Sequence, residues 1–286
     1  MVTGEHRHGY RLRHDELGPH GFFPASVLTG VLQEAAVDGS AASGFPFAYY
    51  LRERAFWVMR RITLRYERPL RYGDSLDVTT WVSKVGRTSP TREYRFDSPS
   101  RGEPIARVRA QWVYVEAASG QPKAIPDDLR AGFAPTGEAI EPLLDVPPQD
   151  GPPASGAPHG GDPRQRVWSE QRTVEPSAVD AAGHLKCCGY VSWLEDLLLR
   201  ANAADGVMPA GTSLASFDLQ ILSSARCGET VQLRAHAAPV WQVELLGTDG
   251  RAVAHAALWP RRCNAPRTAF VATDPTEPAN ALERGA

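Results

Sequence analysis

With 286 residues, 42% apolar and 22% charged, the chain has the composition of a soluble globular protein and enough length for two cores of about 100–150 residues each. A formal charge of -2 excludes a general attraction to nucleic acid or to an anionic membrane. No stretch approaches the ~18 apolar residues of a membrane span. The segment Met1 to His8 offers no apolar run for a secretory signal, so a cytoplasmic location is expected. Four cysteines, with Cys187 and Cys188 adjacent and Cys227 and Cys263 apart, suit neither a disulfide framework nor the gapped pairs of a zinc knuckle. Free thiols, no metal and no cofactor are expected.

In chain order, an early strand is followed by a helix whose apolar stripe is Val27, Leu28, Val31, Leu32, Ala35 and Ala36. Strands are predicted over Phe56–Glu67, Ser75–Val85, Thr91–Phe96 and Ile105–Glu116. A stretch from about Pro135 to Pro163, dense in Pro, Gly and Ala, reads as an exposed linker. A second helix carries Tyr190, Trp193, Leu194, Leu197, Leu198 and Ala201 on one face. Strands are then predicted over Ser213–Leu222, Thr230–Ala237, Val240–Leu246 and Val253–Trp259. Val231, Leu233 and Ala235 point one way while Gln232 and Arg234 point the other. The tail beyond residue 263 has the linker's composition and is expected to be poorly ordered.

The two halves repeat. Val31-Leu32-Gln33-Glu34 recurs as Trp193-Leu194-Glu195-Asp196, Arg71-Tyr72-Gly73-Asp74 as Arg226-Cys227-Gly228-Glu229, and Gly102-Glu103-Pro104-Ile105-Ala106 as Gly250-Arg251-Ala252-Val253-Ala254. The offsets (195 − 33 = 162, 226 − 71 = 155, 250 − 102 = 148) shrink along the chain, as loops shorten and elements keep their order. The fold class is α+β, with a helix on one face of an antiparallel sheet, twice over. The expected organisation is an N-terminal unit (1–133), a linker (134–163), a C-terminal unit (164–263) and a tail (264–286).

The chain resembles the acyl-ACP thioesterases over roughly Tyr10–Phe133 and Arg166–Trp259. In the first half the resemblance rests on Leu32-Gln33-Glu34-Ala35-Ala36, Trp57-Val58-Met59-Arg60-Arg61, Tyr72-Gly73-Asp74, Thr80-Trp81-Val82, Trp112-Val113 and Ile125-Pro126-Asp127-Asp128-Leu129-Arg130. In the second it rests on Asp180-Ala181-Ala182-Gly183-His184-Leu185 with Tyr190 and Trp193. It implies a double hotdog, two tandem units each with a long central helix wrapped by antiparallel sheet. The first unit would supply the acyl pocket and the second the chemistry. It further implies hydrolysis of an acyl-ACP or acyl-CoA thioester in fatty acid or polyketide biosynthesis, with Asp180 and His184 catalytic and Gly183, Leu185, Lys186, Trp57 and Gln33 binding substrate. Nucleic acid and membrane are not expected partners, and a homodimer is compatible with this reading.

This sequence departs from the family pattern at Ala182, Lys186 and Cys187, and at Ala225-Arg226, where many members carry Glu-Cys. Counting back from Gln33 as from Glu195 to Asp180 lands on Gly18, so the first half has no matching carboxylate.

Thioester hydrolysis needs an activated water and a group that holds the developing oxyanion. Asp180 would position or deprotonate the water, His184 would orient the thioester or protonate the thiolate, and the helix start beyond Gly183 would face the carbonyl oxygen. Against this stand simpler readings. Asp180 serves as a helix cap, His184 as a turn residue, Lys186 as a solvated side chain, and Cys187 as a buried thiol rather than a nucleophile. Glu34, Glu195 and Asp196 are polar-face residues or a helix carboxylate aimed at the opposite site. The series Arg52, Arg54, Arg60, Arg61, Arg65, Arg68 and Arg71 is either a solvated face or a patch that steers an acidic carrier. Two other functions compete: a polyketide-type dehydratase or cyclase, which His14, Gly18 and Pro24 approximate one residue too long, and a non-catalytic acyl-carrier binding protein.

Overall fold

The computed structural model describes residues 4–18, 21–140, 167–205, 212–237 and 240–262. The first half runs β1 (Glu5–Arg11), α1 (Ala25–Ala42), α2 (Phe47–Glu53), β2 (Ala55–Tyr66), β3 (Ser75–Val85), β4 (Pro90–Ser98), β5 (Glu103–Glu116) and α3 (Asp127–Gly132). The second runs β6 (Val167–Thr173), α4 (Cys187–Asp205), β7 (Thr212–Ile221), β8 (Thr230–His236), β9 (Trp241–Gly247) and β10 (Ala252–Arg262). All ten strands join one antiparallel sheet in the order β1-β3-β4-β5-β2-β7-β10-β9-β8-β6. Read outward from the central pair β2 and β7, the order is the same on both sides. The halves are therefore related by a pseudo-two-fold axis at that seam.

The helices pack side by side on one face of the sheet. Leu28, Val31, Leu32 and Ala35 of α1 and Tyr190, Val191, Leu194, Leu197, Leu198 and Ala201 of α4 share one core with the inward residues of the strands. That core includes Val231, Leu233 and Ala235, the alternating set expected on β8. A second cluster, built from Tyr49, Tyr50, Tyr114, Leu129 and Phe133 with Trp57 against it, lies in the first half alone.

The seam is pinned by polar side chains as well as by main-chain pairing. Arg61 of β2 donates through Nε to Asp218 Oδ1 at 2.9 Å and through Nη2 to Oδ2 at 3.0 Å, and Thr63 Oγ1 donates to the same carboxylate at 2.5 Å. Asp218 is nearly buried, so the bidentate pairing and the hydroxyl together offset its desolvation. Both Gly-acid repeats form the same turn before a strand. Gly73 and Gly228 take φ of +92 and +79, the Arg71 N–H donates to Asp74 Oδ2 at 2.8 Å, and the Arg226 N–H donates to Glu229 Oε2 at 2.9 Å.

Each predicted helix and strand occurs, with ends displaced by at most a few residues. The short helices α2 and α3 were not expected. The first residues of the predicted linker are tied to the sheet. The Thr136 N–H donates to the Val82 carbonyl at 3.1 Å, Trp81 Nε1 to the Glu138 carbonyl at 2.9 Å, and Arg109 Nη2 to the Ile140 carbonyl at 2.7 Å. The remainder of the linker, the tail and Cys263 lie outside the described residues.

Candidate active site

The loop before α4 is built by its own hydrogen bonds. The Asp180 N–H donates to the His184 carbonyl at 2.8 Å and the Gly183 N–H to the Asp180 carbonyl at 3.0 Å, closing a tight turn in which Gly183 takes φ of +76. The turn is anchored to the strand side by Leu185 N–H to the Ala225 carbonyl at 2.8 Å and by Cys227 N–H to the Gly183 carbonyl at 3.1 Å. Asp180 Oδ1 accepts from the N–H groups of Ala182 at 2.9 Å and His184 at 3.0 Å. One carboxylate oxygen thus holds the loop, and Oδ2 makes no hydrogen bond among the described residues. The cap-like reading of Asp180 and the chemical one are compatible, because they use different oxygens.

The loop borders a cleft between the two halves. From the second half come Asp180, His184, Leu185, Lys186, Cys187, Tyr190, Ile221 and Ser224; from the first come Gln33 of α1, Trp57, Val58 and Met59 of β2, and Trp112 of β5. Trp57, Val58 and Met59 are consecutive on β2, and the strand is bulged after Met59. The structure therefore brings Asp180, His184, Leu185, Lys186, Trp57 and Gln33 to one place. Gly183 is not among the residues that line the cleft; it shapes the turn.

Several side chains take definite local roles. Tyr190 Oη accepts the Ala225 N–H at 2.9 Å, fixing α4 against the segment where the family pattern has Glu-Cys. Lys186 Nζ donates to the Ser177 carbonyl at 3.2 Å. Cys187 is buried, its Sγ lies 3.2 Å from Met59 Sδ, and burial pushes its thiol far above the usual range. It packs the cleft floor and is no thiolate nucleophile at neutral pH. Cys187, the first residue of α4, lines the cleft together with Gln33 of α1, while the Gly189 and Tyr190 N–H groups donate to the Lys186 carbonyl at 2.9 and 3.3 Å.

The arginine series is largely committed to neighbours. Arg61 pairs with Asp218, Arg65 with Glu67 and Arg68 with Glu103, and Arg60 donates to the Leu222 carbonyl. Asp196 pairs with Arg172 at 3.0 Å and Glu34 is exposed, so neither reaches the cleft. No group of three or more His, Cys, Asp and Glu suited to a metal occurs among the described residues.

Two helices side by side, each wrapped by five strands of one sheet, with a cleft at a helix start between the halves, define a double hotdog. Solved structures share it. A 12:0-ACP thioesterase from Umbellularia californica superposes with a TM-score of 0.70 at 18% identity, over 91% of this chain and 98% of that one. An acyl-ACP thioesterase from Bacteroides thetaiotaomicron gives 0.67 at 17%, over 91% and 100%. Residues 4–133 match the family model of the acyl-ACP thioesterase N-terminal domain. In sequence the chain is 23% identical over 199 residues to the chloroplastic acyl-[acyl-carrier-protein] hydrolase FATB2 of Cuphea viscosissima, covering 66% of this chain and 46% of the relative. The chain thus spans under half the length of that curated relative.

Residues missed by the sequence reading are mostly contributions of the first half: Val58, Met59 and Trp112, with Ile221 and Ser224 from the second. Trp112 stood among the landmarks of the resemblance, without any sign that it faces the same space as His184.

Proposed function

We propose that the chain hydrolyses an acyl thioester to the free acid and the thiol, and that its substrate is an acyl chain borne on an acyl carrier protein. The observation that carries this reading is the convergence in one cleft of a carboxylate with a free oxygen, an imidazole, a side-chain amide from the opposite half and the start of a long helix. The family-model match over residues 4–133 and the printed activity of the chloroplastic relative favour hydrolysis and a carrier-protein substrate over the competing readings.

The thioester carbonyl oxygen is placed at the first amides of α4, with the Gln33 side-chain amide donating from α1. Asp180 Oδ2 holds the water while Oδ1 keeps the carboxylate fixed by its two main-chain bonds. Water attacks the carbonyl carbon and gives a proton to Asp180, a tetrahedral oxyanion forms, and its collapse breaks the C–S bond. The proton reaches the departing thiolate through His184, so that one water is consumed for each acid and thiol released. The apolar chain runs along Trp57, Met59 and Trp112. Trp57 continues into the first-half aromatic cluster, 4.8 Å from the Tyr114 ring and 6.0 Å from the Phe133 ring between centroids. Substrate selection by chain length is assigned to that side.

The test is mass spectrometry of acyl carrier proteins loaded with chains of graded length, before and after incubation. Free carrier thiol and free acid are expected. Loss of water from the acyl group would support a dehydratase instead, and an unaltered carrier in a stable complex would support a binding protein.

A further inference from the structure

The loop that precedes α1 repeats three main-chain hydrogen bonds of the loop that precedes α4. The Gly18 N–H donates to the Phe22 carbonyl at 2.9 Å and the Gly21 N–H to the Gly18 carbonyl at 3.0 Å, Gly21 takes φ of +73, and the Phe23 N–H reaches across to the Leu70 carbonyl at 3.2 Å. Gly18 thus corresponds to Asp180, Gly21 to Gly183, Phe22 to His184 and Ala25 to Cys187. Along the helices Gln33 and Glu195 also correspond, each the same distance from the first residue (33 − 25 = 195 − 187 = 8). Gln33 meets the start of α4 in the cleft, and Glu195 meets the start of α1.

There the contact is closed. Glu195 Oε1 accepts the Ala25 N–H at 2.5 Å and Oε2 accepts the Ser26 N–H at 3.2 Å, across the first two amides of the helix. Nothing local does this work: the N-cap is Pro24, no side chain caps it, and the first turn holds no acidic residue. Among the described residues, the groups facing Glu195 are the Ser26 side chain of α1, Tyr66 of β2 and Asp196 beside it on α4, with no cation among them. Burial pushes the carboxyl up to about 7 against the pull of the two amides.

We infer that the N-terminal half retains an anion-binding site at the first turn of α1, and that the carboxylate of Glu195 is its built-in ligand, closing the counterpart of the cleft. The ligand class is a small monocarboxylate, since one carboxylate group satisfies the two N–H donors. The functional corollary rests on the proposed hydrolase reading. The place where the second half would hold a thioester oxygen is filled in the first half by the protein's own oxygen, leaving one working site per chain.

The test is Glu195→Ala in the full chain, unfolded thermally in sodium formate and in sodium chloride of equal ionic strength. The midpoint is expected to fall by on the order of 5 °C in chloride. It should recover saturably in formate, while wild type responds alike to both salts. An unchanged midpoint, or no formate-specific recovery, would overturn the inference. If the alanine variant does not fold, Glu195→Gln decides. Well above pH 7, where the Glu195 carboxyl is ionised, Glu195→Gln should melt below wild type, because a neutral amide oxygen then replaces the anion at the two N–H donors; an equal or higher midpoint would overturn the inference. Neither measurement involves turnover, so failure of the hydrolase reading leaves them interpretable.

Discussion

The loops Gly18 to Ala25 and Asp180 to Cys187 share the same main-chain turn bonds, anchor to the same side of the sheet and feed the same kind of helix, yet the places of Asp180 and His184 are taken in the first by Gly18 and Phe22. The backbone geometry is thus independent of the chemistry it displays. A glycine of positive φ, one main-chain bond across the turn and one bond to the neighbouring segment suffice to build it. Asp180 adds its two side-chain bonds to a turn that stands without them in the first half. The carboxylate is accordingly dispensable for shape, which supports its assignment to chemistry.

The sharpest way to break this comparison is to remove the ionisable groups from the second loop. Asp180→Asn keeps a side-chain oxygen for the Ala182 and His184 amides, so folding should be retained while hydrolysis falls by roughly 10²–10⁴-fold, and His184→Ala should behave similarly. Steady-state kinetics beside a thermal melt checks both; hydrolysis unaffected in the two variants would remove these residues from the mechanism. Next in size, Gln33→Glu would bring to the start of α4 the carboxylate that Glu195 brings to α1. The expected loss in kcat/KM is about 10–100-fold, by competition with the thioester oxygen, together with an unchanged or raised melting temperature. Activity equal to wild type would separate Gln33 from the carbonyl.

The reverse transplant, Gly18→Asp, should produce no second activity. A Cβ at Gly18 would lie 2.8 Å from the Phe22 carbonyl oxygen, so the loop has to shift, with a destabilisation of about 1–3 kcal/mol readable in a denaturant titration. Smallest of all, Gly183→Ala and Gly21→Ala should each cost about 1–2 kcal/mol, because φ of +76 and +73 lies in the left-handed region. Equal costs at the two positions would confirm that the turns are equivalent, whereas a tolerant Gly21 would show that the blank loop has relaxed.

The repeated elements were legible because they bury one face each. The stripes on α1 and α4 and the alternation of Val231, Leu233 and Ala235 are signals that burial writes directly into sequence. The helix α2 escaped notice because its run Phe47-Ala48-Tyr49-Tyr50-Leu51 has no helix-specific signature, and Pro46 supplies the start without a side-chain cap. Asp180, His184 and Gln33 were readable as a local segment and a helix position. That Met59 and Trp112 join them was not, since β2 and β5 meet α4 only through tertiary packing across the seam. The arginine series left two readings open for a related reason. Its partners, Asp218 for Arg61 and Glu103 for Arg68, are distant in sequence, and no local pattern announces that a charge is already compensated.

The β2–β7 pairing makes one continuous sheet from two halves that belong to a single chain. In a pair of identical subunits related by a two-fold axis, every substitution is written twice, and a change that improves one site is forced on the other. A covalent pair is released from that symmetry. Glycine could settle at position 18 and phenylalanine at 22 while aspartate and histidine stand at 180 and 184, and Glu195 could face a helix start that its counterpart Gln33 meets with a neutral amide. Inequality between the halves is the freedom that fusion confers, and the two helix starts record how this chain has used it.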